Sequence, residues 1–221
     1  MPPYRELLRR SLLVLAVTTA LVAVGYFWLD RPIARYVAET GIHYSDVVRR
    51  ATDFPMWLNA LAPVVALVAV VRLACAPLRR WERTAFAASI SLMVAIAFEY
   101  YLKFLAGRYW PETWTHRNPS LLGTGGYGFH PFHFGDWYGS FPSGHTLRTA
   151  AVFAVIGIAY PRTRLLGTVI VLVVMLALIG MNYHFLSDTI GGAAVGYLTA
   201  SYTAAFFGLR TLNDAARPSD K

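Results

Sequence analysis

The sequence predicts an all-α fold: a polytopic integral membrane bundle of six transmembrane helices, forming one membrane domain over residues 1–221. Three observations predict it. Hydrophobic residues make up 56% of the 221 positions and charged ones only 14%, a balance too apolar for a soluble domain of this size. The apolar residues fall in runs of the length needed to cross a hydrocarbon core of ~30 Å. Basic residues gather at the ends of those runs, so the net charge of +8 belongs to membrane-flanking loops and not to a nucleic-acid surface. The single cysteine, Cys75, excludes an internal disulfide and reads as a small packing residue.

In chain order, residues 11–29 form the first span after a basic start (Arg5, Arg9, Arg10). The run ends in Tyr26-Phe27-Trp28 with no small-residue cleavage pattern, so it is a retained helix and not a signal peptide. Asp30 to Pro55 is polar and reads as an external segment lying on the surface. The second and third spans are 56–75 and 84–105, separated by Arg79-Arg80-Trp81-Glu82-Arg83. Residues 106–143 form a long loop rich in Trp, His, Gly and Pro. Spans at 146–160, 165–183 and 189–209 complete the set, and the small residues Gly192, Ala193 and Gly196 suit close helix packing.

Arg79–Arg83, Arg162, Arg164, the N-terminus and the Arg210–Lys221 tail share one side, which the positive-inside rule makes cytoplasmic. The loop 106–143 and the turn at His184 then face the periplasm, and an inner (cytoplasmic) membrane protein with an outer-face site is expected. Trp110, Trp114 and Trp137 suit the interface, as belt anchors or as a partial lid.

Three polar clusters fall on that outer face. The first is Lys103 with Arg108. The second is Phe141-Pro142-Ser143-Gly144-His145, with Arg148 one turn further on. The third is His184 with Asp188. Each has an ordinary reading alone: a snorkelling cation, a helix cap, a loop histidine. Their coincidence on one face favours phosphoryl transfer. Cations and a helix N-terminus starting at Ser143-Gly144 hold a phosphate. A neutral His184 attacks phosphorus, Asp188 fixes its tautomer from four residues on, and His145 protonates the leaving oxygen. Metal ligation is not expected, because His116, His130 and His133 match no strong ligand spacing, and no cofactor is implied. Gly123–Gly128 lacks the Lys-Ser/Thr of a P-loop.

These residues resemble the type-2 phosphatidic acid phosphatase superfamily, which joins membrane lipid phosphatases, bacterial acid phosphatases and vanadium haloperoxidases. Its pattern is Lys-x6-Arg-Pro, then Pro-Ser-Gly-His, then Ser-Arg-x5-His-x3-Asp. Pro142 to His145 match the second motif, and His184 and Asp188 end the third. The resemblance implies that His184 is the nucleophile, Asp188 its orienting partner and His145 the acid. Two positions depart from the pattern. The first-motif Arg falls on Trp110, with Arg108 two residues early, and the third-motif Ser-Arg falls on Ala177-Leu178. Arg148, on the helix face of His145, is the candidate replacement, and Arg117 a less constrained one.

The expected function is therefore a membrane lipid phosphatase working through a phosphohistidine on a lipid phosphate in the bilayer: an isoprenyl diphosphate, phosphatidic acid, phosphatidylglycerophosphate or a lipid A phosphate. The expected catalytic residues are His184, His145 and Asp188; the expected phosphate ligands are Lys103, Arg108, Ser143, Gly144 and Arg148. The same chemistry with a non-water acceptor would make it a phosphotransferase. A rhomboid-type intramembrane serine protease fits poorly, since Pro142 precedes Ser143 at a loop boundary and Asp188 and Lys103 would have no role. A transporter calls for internal repeats, which are not evident. Glu99, ionisable within a span, is read as a partner for Lys103 one turn away.

Overall fold

Phe141 to Asp188 is organised by two helices that touch through glycine. In the computed structural model, which describes residues 2–42, 45–114, 117–133 and 135–209, α6 (Gly144–Ala159) and α8 (Leu186–Phe206) run side by side. A Cβ on Gly192 would collide with the Ser143 carbonyl oxygen, and one on Gly196 with that of Leu147. Small residues are thus what allow the two backbones to meet. His116 and the Arg210–Lys221 tail lie outside the described residues.

The remaining helices pack around this pair. Among the described residues, all regular elements are helical. The chain begins with α1 (Pro2–Val24), a π-helical turn (Gly25–Leu29) and α2 (Asp30–Thr40), continuous as one helix, before α3 (Asp46–Cys75). The stretch Asp30–Pro55, expected as a surface segment, is instead divided between two long helices. The reason is visible in α2, where Asp30, Ala34 and Val37 share one buried stripe at helical spacing.

The fourth helix, α4 (Arg80–Ala106), starts where the Arg79 backbone N–H donates to Glu82 at 2.6 Å. It stops at Gly107, whose φ of 57° is left-handed and whose Cβ position is occupied by the His130 carbonyl. The loop beyond it contains the short α5 (Leu121–Thr124), a 3₁₀ turn (Asp136–Tyr138) and isolated bridges from Arg108 to Phe129 and Gly139. After α6, a 3₁₀ turn (Pro161–Thr163) leads into α7 (Arg164–Gly180).

The core is built of small side chains: Ala87 and Ala88 of α4, Val155 and Ala159 of α6, Ala200 and Ala204 of α8. The bulky apolar residues point the other way, with Leu67, Val68, Leu165 and Leu176 all exposed. A small-residue interior and an apolar exterior suit a lipid-embedded bundle, where packing and not hydrophobic contrast holds helices together. Four helical stretches are long and apolar enough to cross a membrane: Tyr4–Thr40, Asp46–Cys75, Arg80–Ala106 and Pro161–Gly180. The Gly144–Ala159 helix is apolar but shorter. Leu186–Phe206 is rich in Gly, Ser and Thr, with most of its small residues buried and Tyr197, Tyr202 and Phe206 exposed.

Candidate active site

The paired N-termini of α6 and α8 bring the second and third clusters together. The Ser143 backbone N–H donates to the Asp188 carbonyl at 3.0 Å, fastening the start of one helix to the first turn of the other. His145 lies in the first turn of α6. His184 lies two residues before α8 and is only 4% exposed. Its Nδ1 is 3.6 Å from Asp188 Oδ2, within ion-pair range but longer than a hydrogen bond, and it has no hydrogen-bond partner among the described residues.

Asp188 is held more firmly than the histidine it faces. Oδ1 accepts from Arg108 Nη1 at 2.5 Å; Oδ2 accepts from Ser140 Oγ at 2.6 Å and from the Phe185 backbone N–H at 2.9 Å. Every one of these donors favours the ionised carboxylate. Trp110, at the position of the first-motif arginine, sits with its ring centroid 5.2 Å from that of His184, and its Nε1 donates to the Asp136 carbonyl at 2.6 Å. Trp114 donates to the Asn182 carbonyl at 3.1 Å and meets Tyr183 edge-on. These two tryptophans pack on the His184 turn, while Trp137 is exposed.

The cations separate into two groups. Lys103 Nζ and Arg148 Nη2 each lie 2.8 Å from a carboxylate oxygen of Glu99, with side-chain exposures of 26% and 14%. Glu99 itself is buried and fills the space beside Gly144, where a Cβ would overlap its Oε1. That contact explains the glycine. Because Gly144 immediately precedes His145, this cluster lies against the head of α6.

Arg108, expected to grip phosphate, points inward instead. It is 0% exposed, one Nη bonded to Asp188 and the other to Asp30, with no accessible surface to offer a ligand. The rings of Tyr26, Tyr127, Phe129 and Phe185 surround it with centroids 4.5–5.4 Å from Cζ. Burial opposes its charge, yet Asp188 and Asp30 outweigh that and hold it above the ordinary arginine value.

Ser143 also differs from expectation. Its side chain makes no cap bond to α6; its hydroxyl is buried and accepts from Thr146 Oγ1 at 3.2 Å. Asp30, Ser140, Ser187 and Tyr127, all in contact with the Arg108–Asp188 pair or its partners, are not marked by any sequence pattern. Of the loop histidines, His130 packs on Tyr109 at 4.2 Å and His133 meets the His130 and Pro131 carbonyls.

The helical bundle thus has an apolar exterior, a buried His184–Asp188 pair at the head of α8 and, against the head of α6, two cations held by Glu99. The chain belongs to the PAP2 superfamily, whose pattern matches residues 84–212. Among solved structures it is similar to the first transmembrane PAP2 type phosphatidylglycerolphosphate phosphatase from Bacillus subtilis, at 16% identity and a TM-score of 0.60, over 95% of this chain and 98% of that one. At that identity the likeness is one of fold. A search of curated protein sequences finds no match.

Proposed function

We propose that the protein removes a terminal phosphate from a membrane lipid through a phosphohistidine on His184. The observation that carries this reading is the His184–Asp188 pair at the head of α8, fastened to the head of α6 one turn from His145. In the first step His184 Nε2 attacks phosphorus and the bond to the lipid oxygen breaks. His145 gives that oxygen a proton, and Asp188 balances the charge on the imidazole. In the second step His145 takes a proton from water, the resulting hydroxide attacks phosphorus, the N–P bond breaks, and inorganic phosphate leaves.

Lys103 and Arg148 are the phosphate-binding cations in this reading, with the backbone N–H groups at Gly144 completing the cradle. Glu99 fixes both side chains, so Arg148 stands in for the absent third-motif arginine. All six helical stretches cross the bilayer, α6 and α8 being short or polar because the others shield them. The site opens to the outer leaflet of the inner membrane, and the headgroup enters sideways from the lipid.

The test is phosphate release in detergent by wild type and His184→Ala, with EDTA present. The panel contains an isoprenyl diphosphate, phosphatidic acid, phosphatidylglycerophosphate and lipid A; the third is the lipid named for the similar structure. Release by wild type alone supports the reading, and the panel ranks the substrates. Equal release by both proteins overturns His184 as nucleophile. Release that appears only when an alcohol acceptor is added identifies a transferase.

A further inference from the structure

Among the described residues, the buried charge that lies outside the family-matched stretch is Asp30, at the start of α2 and 1% exposed. It is not an isolated core aspartate. Its Oδ2 accepts from Arg108 Nη2 at 2.7 Å and from the Ser187 hydroxyl in a very short hydrogen bond; its Oδ1 accepts from the Ser187 backbone N–H at 3.0 Å. Ser187 Oγ also accepts from Arg108 Nη1 at 2.6 Å, the same nitrogen that binds Asp188. One arginine therefore joins a carboxylate from the first helix to the carboxylate that faces His184.

The local backbone is arranged to deliver it. The π-helical turn Gly25–Leu29 immediately precedes Asp30, and such a turn rotates the succeeding residues relative to their places on a regular α-helix. Gly25 allows the close approach, since a Cβ there would lie 2.9 Å from Ser187 Cβ. Tyr127 closes the group, donating to the Tyr26 carbonyl at 2.6 Å and accepting from Arg108 at 3.2 Å. A second tie runs parallel: Asn182 Nδ2 donates to the Ala34 carbonyl of α2 at 3.0 Å, two residues before His184.

A buried ion pair is a poor way to gain stability, because desolvation offsets much of the attraction. What a fully satisfied charged network provides is a fixed geometry. We infer that Asp30 is a positioning residue of the active site: by holding Arg108 from behind, it fixes the Asp188 carboxylate that orients His184. Without the Asp30 charge the guanidinium has one carboxylate instead of two and shifts, so the anchor on Asp188 Oδ1 moves and the carboxylate turns against Ser140 and the Phe185 N–H, which hold its Oδ2 toward His184. The inference rests on the phosphatase reading for its effect on turnover, but its geometric content does not depend on it.

The experiment compares wild type, Asp30→Asn and Ser187→Ala, each checked for folding by elution in detergent. The deciding readout is the imidazole ¹⁵N spectrum of labelled protein, with His184 assigned by the signal missing in His184→Ala. Expected is a single Nδ1-protonated tautomer in wild type and a mixed tautomer in Asp30→Asn. A His184 signal unchanged from wild type in folded Asp30→Asn overturns the inference; if that variant does not fold, Asp30→Ser, which also removes the charge facing Arg108, is read by the same criterion, and Ser187→Ala, which removes only the hydroxyl bridging the two and leaves their ion pair, is expected to give a smaller shift. In turnover the counterpart is a kcat lower by about tenfold or more with KM within about twofold, the pattern of lost orientation and not of lost binding. Failure of the phosphatase reading shows separately, as no release by wild type, and leaves the spectrum to decide the role of Asp30.

Discussion

Glu99 holds Lys103 and Arg148 at once, each at 2.8 Å, although one lies a turn along the same helix and the other comes from α6. A single buried carboxylate thereby fixes the spacing of the two cations beside the head of α6 and leaves the three groups with a net charge of one. Glu99→Gln keeps the size and removes the charge. Two cations then face each other without compensation. The expected result is a KM raised about tenfold, corresponding to about 1.4 kcal/mol of lost phosphate binding, with a smaller change in kcat. Steady-state kinetics on a lipid phosphate check it.

Arg108→Gln distinguishes a structural arginine from a phosphate ligand. The substitution strands Asp30 and Asp188 as buried carboxylates, and breaking such a pair from one side costs about 3–5 kcal/mol. Thermal unfolding in detergent is expected to show this loss in the absence of any substrate. A ligand arginine would instead leave unfolding unchanged and raise KM alone.

Gly196→Ala tests the contact that sets α6 and α8, which carry His145 and follow His184, side by side. The added methyl meets the Leu147 carbonyl and the Ala150 Cβ, both from α6. Forcing the helices apart costs about 1–3 kcal/mol. Activity is expected to fall further than the folded fraction does, because His145 and His184 sit on opposite sides of that seam. Circular dichroism melts run beside phosphate release separate the two effects.

Asn182 has a left-handed φ of 52° and is almost wholly buried, and its side chain ties the His184 turn to α2. Asn182→Ala loses both the hydrogen bond and a residue tolerant of that conformation, at about 2 kcal/mol. Asn182→Gly relieves the backbone but not the bond. The glycine variant is therefore expected to melt between wild type and the alanine variant.

Much of this site is legible in the sequence because it is local. Pro142 to His145 and His184 to Asp188 are short strings at helix starts, and the apolar runs between them place both at one end of the bundle. The pairing of Glu99 with Lys103 comes from helical spacing alone; its second partner, Arg148, does not, since that contact crosses between helices. Asp30 is misplaced by its sequence context for a physical reason. A charge just after an apolar run normally marks the membrane surface, and the π-helical turn that carries it inward has no sequence signature. Arg108 shows the same limit: as a cation close after Lys103 on the expected outer face it suggests phosphate, but only the fold reveals that two aspartates, each about eighty residues away along the chain, hold its guanidinium. Ser140 and Ser187 carry no pattern at all and become meaningful only beside Asp188 and Asp30.

The most direct measurement of the central claim is to trap the covalent intermediate. Wild-type protein mixed with a ³²P-labelled lipid phosphate and quenched in alkali is expected to carry label that survives base and is lost in acid, as a phosphoramidate does. Proteolysis should place that label on the peptide containing His184, and His184→Ala should carry none. Turnover with no trapped label, or label on a peptide lacking His184, would contradict the assignment of His184 as the nucleophile.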